Sequence, residues 1–103
     1  MSIEYKAQAG QENFRLILKT EINFETYVPS AQIIKYKKDG VSLATELTAV
    51  ILTGSESDGK IYYDFSVATP VPANGHYRTQ ALLTIDGKEV PCRSADWYVG
   101  ENL

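Results

Sequence analysis

A chain of 103 residues, 44% hydrophobic and 22% charged, is large enough for one domain with a genuine core and is neither disordered nor fibrous. Its net charge of −3 argues against attraction to phosphate backbones or anionic lipid, so neither nucleic acid nor a membrane is expected as a partner. Cys92 is the only cysteine, which rules out an intrachain disulfide and leaves packing alone to hold the fold.

The first eleven residues, "MSIEYKAQAGQ", lack the apolar stretch of a signal peptide, and no run approaches the ~20 apolar residues of a membrane helix. Assembly in the cytoplasm is the expectation. Period two then dominates. A first strand is read at 3–9. In "ENFRLILKTEINF", Phe14, Leu16, Leu18, Ile22 and Phe24 all fall at even positions, with Thr20 the one polar interruption, giving a strand at 13–20. "QIIKYKKDG" gives a strand at 31–38, with Ile34 and Tyr36 inward and Lys35 and Lys37 in water. The lysines are therefore read as a solvated face, and as a guard for a sheet edge, rather than a nucleic-acid grip.

A strand at 45–53 carries "AVIL", apolar on both faces, which implies partial cover on its outer side. "KIYYDFSV" puts Ile61, Tyr63, Phe65 and Val67 on one face of a strand at 60–67. "GHYRTQALLTI" aligns Tyr77, Ala81, Leu83 and Ile85 in a strand at 76–85, and the last strand is read at 88–99. Turn chemistry separates the runs: Asp39-Gly40, Asp58-Gly59, Asn74-Gly75 and Asp86-Gly87 tolerate positive φ, and Asp86-Gly87 suits a two-residue type I′ hairpin. Pro91 lies inside a run and signals an edge strand or a bulge. Seven short strands without helical periodicity predict one all-β domain over residues 1–103, an antiparallel immunoglobulin-like β-sandwich, with a small closed barrel as the competing architecture.

Chemistry is sparse. His76, the only histidine, has no nucleophile placed near it by sequence and reads as a loop or strand-end residue exposed to solvent. Cys92 and Arg93 are adjacent and so point to opposite faces of a strand, which makes the thiol structural. Glu56 and Asp58 in "GSESDGK" are too few for a calcium loop and read as a flexible hairpin tip. One histidine and one cysteine cannot close a zinc site, and the glycines lack phosphate-loop spacing. No catalytic residue, cofactor-binding residue or metal ligand is assigned, and the expectation is a protein that is not an enzyme. One residue of each pair Tyr62/Tyr63 and Trp97/Tyr98 should face outward, where an aromatic ring serves a protein contact or a carbohydrate platform. Trp97 is expected in the core.

The segments "FRLILKTEINF", "AQIIKYKKDG", "GHYRTQALLTIDGKEV" and "SADWYV" resemble, in order, a group of small immunoglobulin-like phage structural proteins similar to the N-terminal domain of phage baseplate upper proteins. In that group an "F-x-L" strand precedes an I-x-Y-x-K segment, then a G-x-Y/W strand and a closing aromatic strand. Ile34, Tyr36, Lys38 and Gly40 match the second element, Gly75 and Tyr77 the third, and Trp97 the last. The proline usual before the Asp-Gly turn is missing here. The resemblance implies a virion component at tail, baseplate or head, assembled in the host cytoplasm. Its partners would be other virion proteins, further copies of itself included, and it would bind no cofactor. A carbohydrate-binding or adhesin-like module is the alternative. The first strand, "IEYKAQA", is the edge expected to be available for assembly.

Overall fold

Alternating sequence becomes two facing sheets in the computed structural model, which describes residues 2–3 and 7–100. The strands are β1 (Ser2–Ile3), β2 (Ala7–Gln8), β3 (Arg15–Lys19), β4 (Ala31–Lys38) and β5 (Thr45–Thr48), followed by β6 (Val50–Ile51), β7 (Lys60–Asp64), β8 (Gly75–Ile85), β9 (Lys88–Pro91) and β10 (Ala95–Gly100). One sheet runs β1-β3-β7-β6. The other runs β2-β10-β8-β4-β5, with β9 also paired to β8. Every pairing is antiparallel except that of β2 with β10. This is the strand order of an immunoglobulin-like sandwich. Tyr77, near the start of β8, adds a further mark of that fold: its hydroxyl donates to the Ala73 carbonyl four residues upstream at 2.6 Å.

The seven expected strands appear as ten among the described residues, because three of them divide. The run at 3–9 contributes β1 to one sheet and β2 to the other, with residues 4–6 outside the described part. The run at 45–53 leaves β4 after Thr48 and joins β7 from Val50. Ala49 is the crossing point. Its N–H donates to the Gln32 carbonyl at 3.0 Å, and Gln32 Nε2 donates to the Ala49 carbonyl at 3.1 Å. Of "AVIL", Ala49 is buried and Ile51 and Leu52 are half-buried, but Val50 is exposed, so the expected cover on the outer side is found only at Leu52.

The last run divides at a bulge. Leu82 pairs with Pro91 and Thr79 with Ala95, so Cys92, Arg93 and Ser94 oppose only Gln80 and Ala81. Gln80 Nε2 donates to the Cys92 carbonyl freed there, at 2.8 Å. Pro91 accordingly marks both an edge strand and a bulge. β4, by contrast, lies between β8 and β5, so its lysines guard no edge. Asp86 (φ 51°) and Gly87 (φ 75°) take the positive-φ pair of a type I′ hairpin.

The core lies between the sheets. β3 and β7 contribute Leu16, Leu18 and Ile61, while β4, β8 and β10 contribute Ile34, Leu83 and Trp97. Trp97 is 1% exposed and touches both layers. Its ring centroid lies 5.8 Å from that of Phe65, 5.5 Å from Tyr36 and 5.6 Å from Tyr77. Val67, expected to continue the buried face of the fifth run, is instead exposed, because β7 ends at Asp64.

Thr20, the polar interruption, proves to be a tether. Its buried Oγ1 donates to the Gly59 carbonyl at 2.7 Å, and its N–H donates to the same oxygen at 2.9 Å. The turn before β7, a short 3₁₀ helix at Glu56–Asp58, is held from the other side by the Phe24 N–H, 2.8 Å from the Glu56 carbonyl. The expected flexible tip is therefore pinned at its base. Gly59 has φ 66°, and a Cβ there would lie 2.1 Å from the Ile22 carbonyl oxygen.

Two substitutions test this frame. Trp97→Ala should destabilise by about 3–5 kcal/mol in urea unfolding, the cost of emptying a fully buried aromatic site; the wild-type indole emission should be blue-shifted from that of indole in water. Gly59→Ala should cost about 2 kcal/mol or more, since a left-handed backbone and a backbone clash are combined. A melting curve unchanged in Gly59→Ala would contradict the tethering.

Candidate interaction surface

The outward positions of β4, β8 and β10 bring seven polar or aromatic side chains together on one face. Because Ile34, Tyr36, Tyr77, Thr79 and Trp97 point inward, Lys35, Lys37, His76, Arg78, Gln80, Asp96 and Tyr98 must point outward. Register aligns them in rows: Tyr98 beside His76; Asp96 beside Arg78 beside Lys37; Gln80 beside Lys35 beside Glu46.

His76 is the most constrained member. Its Nε2 bonds Asp96 Oδ1 at 2.9 Å, and its Nδ1 bonds Asp39 Oδ2 in the turn after β4. The Tyr98 ring stacks on the imidazole with centroids 4.5 Å apart and planes 12° from parallel. Both ring nitrogens meeting carboxylates favours the doubly protonated imidazolium, and the hydrogen bonds to Asp96 and then Asp39 hold its pKa above the usual 6.5. The sequence had suggested an unpartnered exposed histidine. The structure keeps it at a strand end but clamps it, with partners 37 and 20 residues away. A base or acid in catalysis needs a free nitrogen within reach of the reacting group. Here each nitrogen is already occupied.

Beside the clamp, a groove of about 480 Å³ runs over the middle of the same sheet. Lys35, Lys37, Arg78, Glu46, Ser42 and Ser94 are among the residues that line it. Lys35 approaches Glu46 at 3.9 Å across an exposed pair, a contact worth little. Lys37 and Arg78 stand directly opposite each other on neighbouring strands, a like-charge arrangement that disfavours the sheet. The loop that forms one wall also carries Val41 and Leu43, the latter 82% exposed. Sequence reading found the lysines on this face but not the groove, because Arg78 and Ser94 reach it only through strand pairing.

Other residues singled out by sequence fall elsewhere. Cys92 is buried at the bulge, where burial pushes its thiol pKa up, so it stays a protonated structural group. Arg93 faces solvent. Glu56 is engaged by its own loop, accepting the Gly54 N–H at 2.9 Å. No group of three or more potential metal ligands comes together among the described residues. Tyr63 packs inward on Phe65 at 5.1 Å. Tyr62 faces outward on the opposite sheet, beneath the Arg15 guanidinium at 4.0 Å, and Arg15 makes a two-pronged bridge to Asp64 at 2.7 and 3.0 Å. Tyr98 is the outward aromatic of its pair and is 61% exposed. A second hollow, of about 550 Å³, opens beside the β8–β9 hairpin against Ile22, Tyr27, Ile85 and Val90.

These features define an immunoglobulin-like sandwich with one face rich in recognition groups. Compared with protein-family models, with curated proteins and with solved structures, the chain matches none of them.

The clamp predicts a pH signature. The folded pKa of His76 is raised, so the stabilisation from its imidazolium is complete below the unfolded value of 6.5 and is lost as pH rises through the folded value. The melting-temperature gap between wild type and His76→Gln should be wider at about pH 5.5, where the aspartates remain ionised, than at about pH 9. A gap independent of pH would show that the clamp carries no charge.

Proposed function

We propose that this protein is a non-catalytic structural component of a phage particle, working through protein–protein contacts made by the outer surfaces of its sandwich. The observation that carries the non-catalytic reading is the state of His76: with a carboxylate on each ring nitrogen, it builds the surface instead of moving protons. What reaches solvent is recognition chemistry: the basic groove, Tyr98, and the loop side chains of Tyr27, Val28 and Leu43. Such exposed apolar and aromatic groups beside charge are typical of contact surfaces. The virion assignment itself is supported by the resemblance of the strand-and-turn pattern through Ile34, Tyr36, Gly75, Tyr77 and Trp97. Assembly inside the host, among other virion proteins and with further copies of this chain, belongs to the same reading.

A second reading, a carbohydrate-binding module, is favoured by Tyr98, an exposed ring held rigid by its stack on His76. One experiment separates the two. Mass spectrometry of particles purified from the phage or prophage that encodes the chain should find it in a fixed ratio to other particle proteins. Its absence from particles, with reproducible glycan-array binding that Tyr98→Ala abolishes, would replace the virion reading with the carbohydrate one.

A further inference from the structure

The groove over the six-stranded sheet combines three features that together select a ligand. It is lined by three cations, Lys35, Lys37 and Arg78, and one carboxylate, Glu46; of the three cations only Lys35 pairs with a carboxylate among the described residues, Glu46 at 3.9 Å. Asp96 stands next to Arg78 in register, but its Oδ1 is engaged by His76. Lys37 and Arg78 face each other directly, and an anion placed over both would relieve their mutual repulsion. Next, the wall formed by Ser42 and Ala44 has Leu43 between them, 82% exposed, with Val41 adjacent and 47% exposed. Finally, β5 (Thr45–Thr48) borders the groove and pairs only with β4 among the described residues, leaving its other edge open.

From this we infer that the groove is the docking site for an extended acidic segment of a partner protein. The segment's carboxylates would meet Lys37 and Arg78, and its apolar side chains would cover Leu43. The inference rests on the reading that this chain acts through protein contacts, and it names the kind of partner. A protein segment fits better than a polyanion for two reasons. The net charge of −3 repels an extended polyanion at long range, whereas a short acidic stretch meets only the local field. An exposed leucine, moreover, gains nothing from a sulfated glycan or a phosphodiester, but gains burial from an apolar peptide side chain.

The test uses the whole protein and a short fluorescein-labelled peptide of alternating aspartate and leucine, followed by fluorescence anisotropy. Saturable binding is expected, weakening as salt is added. Lys37→Glu should lower the affinity about tenfold or more, as removal of a directly opposed charge does. The same substitution turns the Lys37–Arg78 pair into an attractive one, so its melting temperature should be equal to or above that of wild type. Lys88→Glu, which changes charge by the same amount at the far end of the sheet, should leave binding unchanged. Absence of saturable binding up to about millimolar peptide would overturn the inference; so would equal losses in the Lys37 and Lys88 variants. Heparin binding tighter than the peptide and sensitive to Lys37→Glu would assign the groove to polyanions instead. Self-association abolished by Lys37→Glu would assign it to a second copy of this chain. Each result is independent of whether the protein is found in particles, so failure here leaves the virion reading standing.

Discussion

Trp97 joins the two layers, and the rest of the architecture is arranged around that junction. Its ring meets Tyr36 and Tyr77 from its own sheet and Phe65 from the segment that follows β7 in the other. Edge-to-face and offset contacts at these separations add to the area term, which for a buried aromatic is the largest single contribution available to a small domain. The indole Nε1 has no hydrogen-bond partner among the described residues, nor does the buried Thr79 Oγ1. Leaving such groups unpaired costs about 1–3 kcal/mol each. Packing must therefore exceed that penalty, since no disulfide shares the task.

With the layers joined in this way, the chain must pass between them at its margins. Ala49 is small enough to sit buried where β5 becomes β6, and the two bonds with Gln32 satisfy its peptide groups as one ladder ends and the next begins. Thr20 and Gly59 perform a similar service at the base of the β6–β7 connection, where the Gly59 carbonyl accepts from both the hydroxyl and the N–H of Thr20. These are the points at which a two-sheet fold would otherwise strand backbone polar groups.

What the sequence revealed follows from this division of labour. The fold class, the inward set apart from Val67 and the Asp86-Gly87 hairpin were legible because side-chain alternation and positive-φ residues are local properties. The split of three runs was not, because a strand that changes sheets keeps its period: Leu47, Ala49 and Ile51 alternate without a break while their pairing partners change from β4 to β7. Pro91 was an exception, a local signal that correctly marked a change in pairing. The surface was less legible still. His76 acquires its carboxylates from the turn after β4 and from β10, and nothing in the flanking residues encodes either contact.

The placement of charge on the outer sheet adds a last step. An acidic protein can distribute its few cations to neutralise its carboxylates, and this one does so at Arg15, which bridges Asp64 over Tyr62. On the opposite sheet the two aspartates nearest the cations are drawn instead to His76. The clamp thus engages one oxygen of each aspartate, while the neighbouring groove is lined by three cations, Lys35, Lys37 and Arg78, against one carboxylate, Glu46. Protonation of one imidazole and the charge of the adjoining surface are coupled through Asp96, which borders both. Without its second proton the imidazole keeps a single N–H and can donate to only one of the two carboxylates, so the clamp in its full form depends on the imidazolium.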